Sequence, residues 1–257
     1  MNLGLEKSRA LVTGASRGLG RAIALALAAE GAEVIAVARS VERLLQLQEL
    51  DTSAQRNITG HVCDLADASA IGNLAAVMGH VDILVLNTGG PPPGPAADTP
   101  DSVWSTQFEA MFLSAIRLTR FALPGMRQRG FGRILVVVSS GVIQPILNLC
   151  VSNALRSALL CWAKTLASEV ARDGITVNCL APGRIATDRV VELDQARANR
   201  EGITVEQVVK ESHAAIPTGR YGDSAEFASV AAFLASSHAS YMTGSIVRVD
   251  GGMIRSV

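Results

Sequence analysis

The stretch Ala10-Leu11-Val12-Thr13-Gly14-Ala15-Ser16-Arg17-Gly18-Leu19-Gly20 restricts the fold more than any other part of this chain. An apolar, strand-forming run enters a turn with glycines at 14, 18 and 20, and the alanine-rich run leaving it predicts a helix over 18–30. Glycine is required where a backbone bends sharply, approaches a pyrophosphate without a Cβ in the way, and lets a helix pack closely on a strand. The first turn of such a helix leaves N–H groups without intrahelical partners, which makes it an anion seat. Gly31 stands where a left-handed residue closes a helix. The expected phosphate contacts are Gly14, Ser16, Arg17, Gly18, Leu19 and Gly20.

Beyond this unit, short β-rich runs alternate with helical stretches. Strands are predicted at 9–13, 33–38, 59–63, 83–86, 132–138, 175–179 and 245–249, and helices at 18–30, 41–50, 66–77, 102–127, 152–172 and 225–234. Alternation of this kind argues for a doubly wound α/β fold, a parallel sheet with helices on both faces. The 257 residues contain no Ser/Gly tract, charge block or repeat, and the run Gly89-Gly90-Pro91-Pro92-Pro93-Gly94-Pro95 is too short to be a linker, so one domain over 1–257 is expected. Connections are short except at 185–217, a charged stretch expected to be helical at 205–215. It follows the sixth strand, and ligands bind at the carboxyl ends of such strands, so it is the expected substrate lid.

Composition excludes several classes of partner. Lys+Arg and Asp+Glu are equal at 23 each, leaving no global field for nucleic acid. No run of eighteen uncharged apolar residues marks a membrane span, and the start carries no basic segment followed by a long apolar core, so a soluble cytoplasmic protein is expected. Cys63, Cys150, Cys161 and Cys179 show no C-x-x-C pair and no metal-ligand spacing, and are expected to be buried free thiols with no metal site.

From about Ser8 to Met253 the chain resembles the short-chain dehydrogenase/reductase family, and within it the 3-oxoacyl-[acyl-carrier-protein] reductase-like members. The blocks carrying the resemblance are Thr13-Gly14-x-x-x-Gly18-x-Gly20, Cys63-Asp64-Leu65, Asp82 to Gly89, Val138-Ser139-Ser140-Gly141, Asn178 to Gly183, Thr243-Gly244 and Val249-Asp250-Gly251-Gly252. The resemblance implies a single Rossmann-type sheet of seven parallel strands in the order 3-2-1-4-5-6-7, hydride transfer between a dinucleotide and a small carbonyl or alcohol substrate, and a homotetramer. It also implies cofactor contacts from Asp64 and Leu65, from the turn Asn87-Thr88-Gly89, and from Pro182, Gly183, Ile185 and Thr187. Arg39 follows the second strand directly, where an acidic residue would bond the 2′-hydroxyl of NAD and an arginine pairs with a 2′-phosphate; with Arg17 it favours NADP(H). The alternative for Arg39 is a solvated strand-end charge.

In the resembling family a serine, a tyrosine, a lysine and a supporting asparagine carry the chemistry. Counting back eight residues from Lys164 places Arg156 at the lysine and Ser152 at the tyrosine; thirteen residues before Ser152 lies Ser139 at the serine, with Ser140 the neighbouring alternative. Met111 takes the asparagine position. A serine is shorter than a tyrosine and far less acidic, and an arginine cannot relay protons as lysine can. Two readings stay open on the residues: an NADP-dependent oxidoreductase with a non-standard active site, and an NADP(H)-binding sensor or partner subunit of little activity. His213, in the expected lid, is the one histidine placed to serve as a substitute acid.

Overall fold

The computed structural model describes residues 2–51 and 57–256. Met1, Val257 and 52–56 lie outside it. Seven parallel strands form one sheet in the order β3-β2-β1-β4-β5-β6-β7, as the resemblance implies. They are β1 (Arg9–Thr13), β2 (Glu33–Ala38), β3 (Ile58–Val62), β4 (Ile83–Leu86), β5 (Gly132–Val137), β6 (Ile175–Pro182) and β7 (Ile246–Val249). The central strands β4 and β5 are buried along their whole length, so they read as continuous apolar runs rather than alternating ones.

Each face of the sheet holds one core. Helices α1 (Gly18–Ala29) and α2 (Val41–Leu50) share the first with the helix near the C-terminus, where Ile23, Leu27, Leu44, Leu47 and Phe227 meet the sheet. Helix α3 (Ala68–Val77), the long segment from Asp101, and a helix over Cys150–Val170 cover the other through Ile71, Leu74, Leu118, Leu159 and Leu166. Gly31 closes α1 as expected, with φ +89° and its N–H on the Ala28 carbonyl at 3.0 Å.

Three expectations need correction. The helix predicted over 102–127 is α4 (Asp101–Gln107), a π-helical segment Phe108–Leu113, and α5 (Ser114–Arg129). A π-bulge inserts a residue into the helical ladder and shows no periodic signature in sequence; such bulges gather at functional sites. The helix predicted from 152 begins earlier, as α6 (Cys150–Val170). The stretch 185–217 holds two helices, α7 (Asp188–Glu201) and the expected α8 (Val205–Ala215), before α9 (Ser224–Ala235). Helix α7 carries Asp-Arg-Val-Val-Glu-Leu-Asp-Gln-Ala-Arg-Ala-Asn-Arg-Glu, with little apolar stripe to announce it. Pairs one turn apart hold it, Arg197 with Glu201 at 2.9 Å and Gln195 with Asn199 at 2.9 Å.

The cysteines are free, as expected, but not uniformly buried. Cys63 and Cys179 are in the core, Cys150 is half-buried, and Cys161 is exposed on α6. Among the described residues no helix is long and apolar enough to cross a membrane.

Candidate functional site

The sheet reverses its order between β1 and β4, and the two strand ends are fastened there. The Asn87 N–H donates to Thr13 Oγ1 at 2.9 Å, and that hydroxyl donates to the Asn87 carbonyl at 2.8 Å. The Asn87 side-chain amide donates to the carbonyls of Thr13 at 3.3 Å and Gly14 at 3.4 Å. This amide, expected at the cofactor, turns toward β1 and makes the glycine turn and the Asn87-Thr88-Gly89 turn one rigid unit.

The glycine turn is a cradle that side chains would fill. Gly14 and Gly18 have φ of +60° and +54°. A Cβ on Gly20 would stand 2.7 Å from Asn87 Nδ2 and hard against the Gly14 carbonyl. The N-cap residue of α1 is Arg17, whose side chain makes no capping bond, and the first turn holds no acidic residue. The first N–H groups of α1 therefore face the cleft without a carboxylate of their own, which fits a dinucleotide pyrophosphate. Ser16 and Leu19 are half-buried beside it, Leu19 against the first core.

The rest of the expected cofactor residues surround this cleft. Arg39 is exposed directly after β2. Asp64 is exposed after β3 and accepts the Ala66 N–H at 3.0 Å, while Leu65 packs into the second core. Pro182 ends β6, and Gly183 donates its N–H to the Val249 carbonyl at 2.9 Å. Ile185 is buried in an isolated bridge to Gly222, and Thr187 is the N-cap of α7. A Cβ on Gly18 would lie 3.6 Å from Thr187 Cγ2, so α7 starts against the glycine turn.

The catalytic candidates meet at the ends of β4 and β5. Arg156 and Ser152 lie one turn apart on α6 and are 7% and 8% exposed. The Arg156 guanidinium donates through Nε to Ser152 Oγ at 3.3 Å, through Nη1 to the Val137 carbonyl at 2.6 Å, and through Nη2 to the Thr88 carbonyl at 3.5 Å. Arg156 thus ties α6 to both strand ends. Burial, and then the like charge of Arg189, lower its pKa from the usual guanidinium value to about 10, so it stays cationic at neutral pH. Ser139 caps a short 3-10 turn (Ser140–Val142), accepts the Gly141 N–H at 3.1 Å and is half-buried, whereas Ser140 is 3% exposed. Of the two serines, Ser139 is the more accessible.

Met111 sits in the π-helical segment, 1% exposed, and packs with Val151 and Leu155 of α6. The contact at the position the resemblance gives to the asparagine is thus apolar. The His213 ring meets Tyr221 edge-on with centroids 4.7 Å apart, and Tyr221 donates to the buried Asp194 at 2.8 Å. That cluster, with Arg184 paired to Asp194, fastens α7 and α8 to the segment before α9.

Sequence reasoning missed several residues here. Asn153 clips the loop ahead of α6, accepting the Ile146 N–H at 3.3 Å and donating to its carbonyl at 2.8 Å. The Pro-rich wall is bound to the same loop, with the Gly94 N–H on the Asn148 carbonyl at 2.8 Å. Arg189 of α7 donates to the Pro91 carbonyl at 2.7 Å, and Arg17 pairs with Glu192 at 2.8 Å. None of these carries a local signal, since each partner is distant in sequence or looks like an ordinary surface charge.

A phosphate-binding glycine turn at the order reversal of a seven-stranded parallel sheet defines the class, a Rossmann-type dinucleotide-binding domain. Residues 14–254 match the family model described as Enoyl-(Acyl carrier protein) reductase, adh_short_C2. The chain is 38% identical to the 3-oxoacyl-[acyl-carrier-protein] reductase FabG of Salmonella typhimurium, over 98% of this chain and 99% of that one. It is 31% identical to the NADPH-dependent reductase BacG of Bacillus subtilis, over 98% and 100%. Among solved structures, L-sorbose reductase from Gluconobacter frateurii, complexed with NADPH and L-sorbose, aligns with a TM-score of 0.91 at 31% identity over 100% of both chains. The chain belongs to the short-chain dehydrogenase/reductase family of oxidoreductases.

Proposed function

We propose that this protein is an NADP(H)-dependent oxidoreductase acting on a small carbonyl or alcohol, similar to the 3-oxoacyl-carrier-protein reductases but with a non-standard proton donor. The observation that carries the reading is the start of α1, which has no side-chain cap and no acidic residue in its own first turn, at the reversal of strand order beside the β4 and β5 ends that Arg156 joins. NADPH, when bound, supplies the hydride. Ser139 offers its hydroxyl as a hydrogen-bond donor to the substrate oxygen. Arg156 holds positive charge at the ends of β4 and β5 and points Ser152, whose hydroxyl accepts from the guanidinium and is left to hydrogen-bond a water that brings the proton from solvent. Pro182, Gly183, Ile185 and Thr187 form the wall that orients the nicotinamide, and 185–217 forms the lid. The proposal places the protein in the cytoplasm.

One observation favours the second reading, an NADP(H) sensor of little activity: the Arg156 guanidinium is already engaged by two backbone carbonyls and by Ser152, with no phenol among these partners. Absorbance of NADPH at limiting protein, against a panel of 3-oxoacyl thioesters and ketones, separates the two. A sensor binds the cofactor and never oxidises it.

Arg39 and Arg17, both exposed at the adenosine end, support the 2′-phosphate preference. A charge-assisted bond to phosphate is worth on the order of 1.5–3 kcal/mol. Arg39→Ala is therefore expected to weaken NADP(H) binding by roughly 10- to 150-fold and leave NAD(H) unchanged, as read by titration calorimetry. Equal affinities for the two cofactors in the native chain would sink the preference.

Assembly as a homotetramer is proposed from the surfaces left over. Edge strand β7 exposes Ile246, and Phe108, Phe121, Leu147 and Tyr241 lie open on the surface. An unpaired edge and large exposed apolar side chains need a partner surface. Light scattering at micromolar concentration is expected to give about four times the 26.9 kDa chain mass, and a monodisperse monomer would overturn the proposal.

A further inference from the structure

The lid helix α7 is fastened across the cleft by charge. Glu192 accepts from Arg17 of the glycine turn at 2.8 Å and lies 3.6 Å from Arg189, one turn earlier on its own helix. Arg189 reaches the opposite wall, where its guanidinium lies about 3 Å from where a Cβ on Gly90 would stand and donates to Pro91 at 2.7 Å. The chain Arg17, Glu192, Arg189, Pro91 therefore spans from the turn after β1 to the loop after β4. It therefore crosses the place, between the ends of β1 and β4, where folds of this kind bind their dinucleotide. Nearby, the Thr88 hydroxyl is buried with no hydrogen-bond partner, so the wall carries unused polar capacity.

We propose that Glu192 is an internal carboxylate occupying the anion seat between Arg17 and Arg189, and that phosphate groups of the dinucleotide displace it on binding. The inference rests on the NADP(H) reading above. Two cations flanking one carboxylate offer a phosphate the same bonds in the same place, with more charge to engage them. Glu192 is ionised near neutrality: the hydrogen bond from Arg17 lowers its pKa most, burial opposes it, and the charges of Arg17 and Arg189 together with a hydrogen bond from Arg189 keep it below the ordinary carboxylate value. In the cofactor-free protein it quenches Arg17 and keeps the start of α7 down; when phosphate takes Arg17, Glu192 is released and Arg189 is free to close over the bound dinucleotide.

Glu192→Gln keeps the shape and removes the charge at a half-exposed position, so it leaves folding intact. By calorimetry at low salt the variant is expected to bind NADPH about three- to tenfold more tightly than the native chain, the scale of one or two exposed ion pairs. The difference is expected to vanish at about 1 M salt, where the screening length falls to about 3 Å. A gain confined to NADP(H) identifies the 2′-phosphate as the displacing group, and an equal gain for NAD(H) identifies the diphosphate; both support the clasp. Without cofactor, amide hydrogen exchange over 188–192 is expected to be faster in the variant than in the native chain. Unchanged or weaker NADPH affinity on Glu192→Gln, in a chain that binds NADPH, overturns the clasp alone. A native chain that binds neither cofactor overturns both readings.

Discussion

Replacing Gly20 by alanine is expected to destabilise the protein by about 1–3 kcal/mol and to weaken NADP(H) binding at least about tenfold. The new methyl would need space already taken by the Gly14 carbonyl and by Asn87 Nδ2, 2.7 Å away. Neither neighbour can step aside cheaply. The Gly14 carbonyl is backbone in a turn at φ +60°, and the Asn87 amide makes one of the bonds fastening β1 to β4. The turn must open, and opening it moves the N–H groups at the start of α1 away from their phosphate. Losing one or two charge-assisted bonds of on the order of 1.5–3 kcal/mol each gives the loss of affinity, since each 1.4 kcal/mol is about tenfold. Gly72→Ala in α3 is the control. No atom stands within 4 Å of its added Cβ, and it should raise stability by about 0.5–1 kcal/mol. Thermal unfolding and calorimetry on both variants decide it, and native-like NADPH affinity in Gly20→Ala would remove the glycine turn from the cofactor site.

The contrast between these glycines marks what a sequence can carry. The β1, turn and α1 unit is legible because strand, glycine spacing and helix are local and each requires the others. Helix α8 is legible from its Val205, Val208 and Val209 pattern, and the sheet order follows from the family resemblance. Helix α7 is not, because charge pairs rather than an apolar stripe stabilise it, and such pairs look like solvated loop. The π-helical segment is invisible because it inserts a residue without changing composition, and yet it sets where Met111 meets α6. Arg189 and Glu192 read as ordinary surface charges until their partners at Pro91 and Arg17, 98 and 175 residues away, are brought beside them. For Asn87 the spacing fixes its place at the turn, but the direction of its amide is set by carbonyls on β1 and the glycine turn, far upstream in the chain.

Reduction of simple ketones by the native chain is expected to run about 10²–10⁴-fold below that of the Ser152→Tyr, Arg156→Lys double variant, with NADPH affinity retained in both. The magnitude is that of positioned proton transfer. A phenol beside the nicotinamide reaches further than Ser152 and leaves a far more stable anion, and the lysine lowers its pKa in a way a guanidinium bonded to Val137 and Thr88 does not. In the proposed reading hydride geometry is set by the walls at Asn87–Gly89 and Pro182–Thr187; Ser152→Tyr touches neither, and Arg156→Lys gives up only the 3.5 Å bond to the Thr88 carbonyl. What remains in the native site is electrostatic: Arg156, cationic with a pKa of about 10, and Ser139 stabilise a developing alkoxide without moving a proton. Ser152→Ala is then expected to lower the residual rate further, because it removes the hydroxyl that Arg156 orients at 3.3 Å. NADPH oxidation by the native chain, Ser152→Ala and the double variant, with 3-oxoacyl thioesters and ketones, is the measurement. Native turnover in the ordinary enzymatic range of about 1–10³ s⁻¹, unaltered by Ser152→Ala and by Arg156→Met, would place the proton transfer on other residues.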